Sequence, residues 1–190
     1  MAILYNIKKV VLTELDPATG NPKASDGVKA TIETAQKAEL EPVLSEGEED
    51  VLRAPDKILA VVRTDDLIYG YDVKLTDNTF SAEVAGLVGG YKVTKDSSKD
   101  KYSTPMVSEG FTGKPFKLDI YVANYSGDSI VDYAKITLNK CVGKFPTMSI
   151  GDGFYAPEFE IKARENTKAG LPIKEITFVE ELPSTSSPVL

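Results

Sequence analysis

The chain has no histidine, no tryptophan and a single cysteine in 190 residues. Without histidine, the Ser-His and Cys-His nucleophile pairs, the commonest general base and the usual zinc ligand are all missing. Cys141 has no second cysteine for an internal disulfide, which argues against a disulfide-stabilised secreted fold. With no activating partner it reads as a small residue in or beside a strand rather than a nucleophile. The lack of tryptophan counts against a sugar-stacking platform. No run approaches the ~18 apolar residues of a membrane helix. The apolar start from Ile3 to Leu12 is interrupted by Asn6, Lys8 and Lys9, unlike a signal peptide. The expectation is a protein made and kept in a cytoplasm, with no membrane partner. The sequon Asn124-Tyr-Ser126 then reads as chance.

Positive charge is also short: 22 Lys and Arg against 29 Asp and Glu leave a net charge of −7. A nucleic-acid clamp needs a basic stripe, and this balance argues against one. With 42% apolar and 27% charged residues, the composition is that of a globular chain long enough for one substantial core. The reading is one β domain over residues 1–182, with a long loop at 40–56, and a flexible tail at 183–190.

Hydrophobic alternation with a period of two dominates what is present. Phe116, Leu118, Ile120 and Val122 alternate with Lys117, Asp119 and Tyr121. Ala134, Ile136, Leu138 and Val142 share a second strand, with Lys135, Thr137 and Asn139 opposite. The turn Asn124-Tyr-Ser-Gly-Asp-Ser129 separates them. After Gly151-Asp-Gly153, Tyr155, Phe159, Ile161 and Ala163 face one side, and Glu158, Glu160, Lys162 and Arg164 the other. A last strand runs over 173–182, and the four are expected to form a meander.

Upstream, residues 3–14 read as a strand and 27–39 as a second, where alanine and glutamine let a helix compete. Ile58 to Val62 is a continuous apolar run, expected of a strand covered on both sides. It is paired in this reading with the alternating segment 67–75, as a hairpin with its apolar side inward. Residues 79–88 predict a helix: Asn78 or Thr79 as cap, Phe80, Val84, Leu87 and Val88 as a stripe, Gly89-Gly90 as stop. Residues 95–102 read as a polar loop. Between the second and third strands, 40–55 reads as a long acidic loop. Val43, Leu44, Val51 and Leu52 give it apolar anchors that a solvated loop does not need. A solvated loop and an arm ordered against a neighbouring subunit both fit.

Chemical constellations are weak. Glu158 and Glu160 lie two apart on one strand face and, without an apolar pocket to raise one of them, read as a wet face. Asp16, Asp26, Asp50 and Asp152 miss the spacing of a calcium loop, and the Gly89-Gly90 and Gly151/Gly153 pairs lack the lysine of a phosphate loop. No cofactor, metal or catalytic residue is expected, and the chain does not read as an enzyme.

The run from Gly151 to Ile173, with Ile120 to Asn139 before it, resembles the C-terminal part of bacteriophage major tail, or tail tube, proteins. The resemblance covers about a third of the chain and does not extend by phrases into residues 1–115. The residues by themselves read as a mainly antiparallel β-sandwich or partly open barrel with one short helix, and the resemblance implies a β-sandwich with a flanking helix. It further implies hexameric rings that stack into a hollow tube in the virion tail, assembled in the host cytoplasm, through which DNA passes without specific binding. Partners would be further copies of the chain, a tape-measure protein, and terminator or baseplate proteins. By that resemblance, Leu44, Glu46, Glu48, Glu49, Asp50, Leu52 and Arg53 belong to an inter-ring stacking loop. The first strand and the Pro-rich tail become candidates for inter-ring contacts. Lys135, Thr137, Asn139, Glu158 and Glu160 become candidates for lining the lumen, where a lack of net positive charge spares the passing phosphates. A phage-derived contractile bacteriocin would use the same tube. The alternative is a monomeric β-sandwich for carbohydrate binding or adhesion, using Tyr121, Tyr125 and Tyr155 as its platform. A hydrolase using paired carboxylates is a third, weaker option.

Overall fold

The structure, a computed structural model, describes residues 2–24, 27–94, 101–106, 108, 113–144 and 156–184. It is mainly antiparallel β with one short helix, as the alternation predicts. The Gly151-Asp-Gly153 punctuation, Tyr155, Asp26, residues 95–100 of the polar loop and residues 185–190 of the tail lie outside the described residues.

The main sheet begins with β1 (Ile3–Glu14), flanked by β2 (Lys29–Ile32) on one side and β9 (Phe116–Ser126) on the other. β10 (Ser129–Gly143) continues from β9 through a two-residue turn at Gly127-Asp128. Gly127 has φ +63, the left-handed conformation that such a reversal needs. Next come β11 (Glu158–Ala163), β6 (Leu67–Asp77) and β3 (Ala35–Ser45). β12 (Lys174–Val179) also lies against β10, beside residues 133–138, while β11 takes residues 141–143. The expected meander is therefore corrected. The last two strands share one edge of β10 because that strand, at 15 residues, is long enough for both.

Register sets the core. Val10 lies opposite Ile32 and Ile120, Leu12 opposite Ala30 and Leu118, and Leu118 opposite Leu138. These residues, with Val73, Leu75, Phe116, Phe159 and Ile161, form one buried cluster. β3, at the far end of the sheet, touches β1, so the sheet rolls into a partly open barrel around this cluster. The helix α1 (Ala82–Val88) packs on β2 and β10 through buried Val84, Leu87 and Val88. It approaches closely: a Cβ on Gly143 would lie 2.3 Å from the Val88 carbonyl oxygen.

Three expectations change. The segment 27–39 splits at Glu33-Thr34, and the chain switches there from one end of the sheet to the other. The Thr34 hydroxyl, donating to Asp77 Oδ1 at 2.6 Å, pins the crossing. The helix cap is Ser81, whose Oγ accepts from the Val84 N–H, not Asn78 or Thr79. Phe80 lies outside the helix and sits edge-on to Tyr102, in the small ladder of β7 (Lys92–Thr94) with β8 (Lys101–Ser103). The segment 57–63 does not form a hairpin with 67–75, because each of these strands has another partner in the arm described next.

Candidate functional site

The expected long loop is a jointed hairpin. β3 and β6 pair as far as Ser45 opposite Leu67, and β4 (Glu49–Ala54) and β5 (Lys57–Arg63) carry the hairpin onward to a Pro55-Asp56 tip. Proline suits the first corner of such a turn because its φ is already set. Between the two ladders lies a joint. The Gly47 N–H donates to Asp66 Oδ1 at 2.8 Å, and the Glu48 N–H to Thr64 Oγ1 at 2.8 Å. A Cβ at Gly47 would sit 1.8 Å from the Thr64 carbonyl oxygen, so the joint requires glycine.

Leu44, Glu46, Glu48, Glu49, Asp50, Leu52 and Arg53 are all exposed on this arm or at its joint. They lie in strands or at the joint, which corrects the loop assignment at 40–56. The expectation that 58–62 is covered on both sides fails. Every residue of β5 is exposed, with Ile58 at 57%, Leu59 at 56%, Val61 at 53% and Val62 at 65%. Among the described residues nothing covers this apolar strand on either face.

A second open apolar surface lies on β12. Ile176 and Phe178 stand on the core side of the sheet, opposite Ile136 and Ala134, yet are 54% and 53% exposed. β12 pairs with β10 alone among the described strands. Ile3, Leu4 and Tyr5, at the start of β1, are exposed as well.

The proposed lumen residues divide. Glu158 and Glu160 face outward on β11, on a strongly charged sheet face shared with β3 and β6. Acids and bases alternate there. Glu160 lies opposite Lys74 and is 2.7 Å from Lys144 Nζ, and Lys37 pairs with Glu39 at 2.5 Å. The Lys144 ammonium, by hydrogen bond and by charge, holds the Glu160 carboxyl below its ordinary range. That is the opposite of what a general acid needs. Thr137 and Asn139, by contrast, are buried at 6% and 3%, which corrects their assignment to a water-filled passage. Thr137 donates to Asp119 Oδ1 at 2.6 Å, with Lys117 and Lys135 also beside that carboxylate. Asn139 donates to the Pro172 carbonyl at 2.9 Å and to Glu175 at 3.3 Å. The cause is the return of the chain after β11, which lays β12 along β10 and closes over these groups. Lys135 is mostly covered, its ammonium lying over the Tyr121 ring.

Tyr121 is buried at 6%, and Tyr125 stacks edge-on against Tyr5, so neither offers an open aromatic platform. Cys141 is buried, and burial pushes its thiol strongly up, away from the thiolate. Two cavities, of about 150 Å3 over the charged face and about 250 Å3 beside Leu15, Pro17 and Pro115, stay below the ~300 Å3 at which small-molecule sites begin. Among the described residues no cluster of three or more Asp, Glu or Cys is placed to hold a metal, and no helix is long and apolar enough to cross a membrane. The chain matches no protein-family model and no curated protein.

Proposed function

We propose that this chain is a structural subunit that completes its surface with copies of itself, as the repeating subunit of a bacteriophage tail tube. The observation that carries this reading is the arm: seven consecutive residues of β5, with an apolar centre, stand in solvent on both faces. A monomer gains nothing from holding such a strand on a jointed hairpin, whereas a neighbouring subunit would bury it. The open edges of the sheet and the exposed start of β1 add to the same need. The resemblance of residues 120–139 and 151–173 to tail tube proteins supports an assembly of hexameric rings stacked into a conduit for DNA. On this reading Glu158 and Glu160 lie on the wall of the passage, where the alternating lysines leave little net field to hold a polyanion.

Size-exclusion chromatography followed by negative-stain microscopy tests it. Rings or hollow tubes are expected as concentration rises. A species that stays monomeric at high concentration would overturn the reading and return the chain to a solitary binding module.

A further inference from the structure

We infer that β5 of one copy adds, antiparallel, to the free edge of β12 of the next copy. This rests on the self-assembly reading and names the seat that the arm occupies.

Both strands have an edge to offer. β5 pairs only with β4, and β12 only with β10, among the described strands. Unpaired strand edges present rows of backbone donors and acceptors that a second strand satisfies. Both strands carry open apolar side chains, Ile58, Leu59, Val61 and Val62 on one and Ile176 and Phe178 on the other. Among the described residues of one chain they do not meet, and each of these side chains remains more than half exposed. The occupant is therefore a second copy.

Charge chooses the partner and the register. Residues 57–63 hold Lys57 and Arg63 and no acid, a formal charge of +2. Residues 174–181 hold Lys174 against Glu175, Glu180 and Glu181, a formal charge of −2. With Arg63 set opposite Glu175, an antiparallel alignment puts Val61 opposite Thr177 and Ala60 opposite Phe178. Lys57 then meets the Glu180-Glu181 pair. The β-bulge in the β4–β5 ladder leaves Leu59 without a partner on β4. That bulge turns Lys57 and Arg63 to opposite faces, and Glu180 lies in the bend just past the end of β12, where Lys57 arrives. A parallel alignment would bring Lys57 against Lys174 and lose one of the two ion pairs. Each copy carries one donor and one acceptor, so the contact is head-to-tail and propagates around a ring or along a filament.

Two full-length variants test the seat, Val61→Cys in one and Thr177→Cys in the other. The native Cys141 is buried and stays out of the reaction. Mixed under mild oxidation, they are expected to give a disulfide-linked heterodimer whose joined peptides carry residues 61 and 177. Arg63→Glu is expected to weaken self-association about tenfold or more by placing like charges together, and Glu175→Arg in the same chain is expected to restore it. Circular dichroism confirms that each variant is folded, since both positions lie on the surface. If the variants assemble into rings or tubes without the 61–177 link, or if Arg63→Glu leaves association unchanged, this seat is wrong and the assembly reading stands. If the wild type never associates, both fall.

Discussion

Glu14 shows how single residues fix the loops around the core. It is buried at the end of β1, where it accepts from the Val28 N–H at 3.1 Å and from Lys23 at 3.0 Å, with Lys114 at 3.4 Å. Burial alone would raise its carboxyl, but the Val28 N–H and the two lysines outweigh it and hold the group below its ordinary 4.5. The folded value is thus lower than the unfolded one. The stability this carboxylate contributes is complete above the unfolded value and is lost as pH falls through the folded one. Glu14→Gln is expected to cost about 1–3 kcal/mol at neutral pH and to flatten the pH dependence below pH 5, measured by urea unfolding across pH. Asn166 does similar work between distant segments. Its side chain donates to the carbonyls of Gly20 and Asn139 at 2.9 and 3.3 Å. Asn166→Ala leaves those buried acceptors bare and is expected to lower stability by about 1–3 kcal/mol in the same assay. Neither role was legible from sequence, because each needs groups that only the fold brings together, Lys114 with Glu14 and both Gly20 and Asn139 with Asn166.

Among elements, the β9–β10 hairpin was readable and the arm was not. Strict alternation and the Gly127-Asp128 turn specify β9 and β10 locally. The run from Ile58 to Val62 says only that its residues favour cover, and not which chain supplies it. Gly47 and the acids around it mimic a loop, yet here they make a joint held by Asp66 and Thr64. The missed signal was Pro55-Asp56, a tight turn between two apolar pairs, which could have been read as a hairpin tip. Ser45 and Leu67 are cross-strand partners, so residues 46–66 can be replaced by an Asn-Gly turn without disturbing the barrel. The shortened chain is expected to fold, keep its thermal transition within a few degrees, and remain monomeric by sedimentation. Assembly that persists in this variant would show that the arm is not the contact. Hydrogen exchange adds a second check. Amides along the outer edge of β5 should exchange fast in the free chain and become protected on assembly.

For the whole molecule, composition bounded the class correctly as a globular chain, and periodicity gave a mainly antiparallel β fold with one helix. Which polar faces meet water was not readable. Alternation marks Thr137 and Glu160 alike as polar, but only the structure shows β12 closing over the first and leaving the second open. If the open charged face lines a passage, replacing Glu158 and Glu160 by lysine turns it basic. Tubes of that variant are then expected to retain DNA at low salt and release it as salt rises, in a filter-binding assay, while wild-type tubes retain little. Equal behaviour of the two would move the passage to another face.

The place of β1 has a temporal consequence. The first strand of the chain lies inside the sheet, and its long neighbour β9 begins only at Phe116. A nascent chain has therefore released the whole arm from the ribosome before its barrel can close. During that interval the exposed apolar strand of the arm is presented by a polypeptide with no finished core, crowded by siblings on the same message. Cells making it in quantity must either keep those chains apart or lose part of the yield to premature clumping.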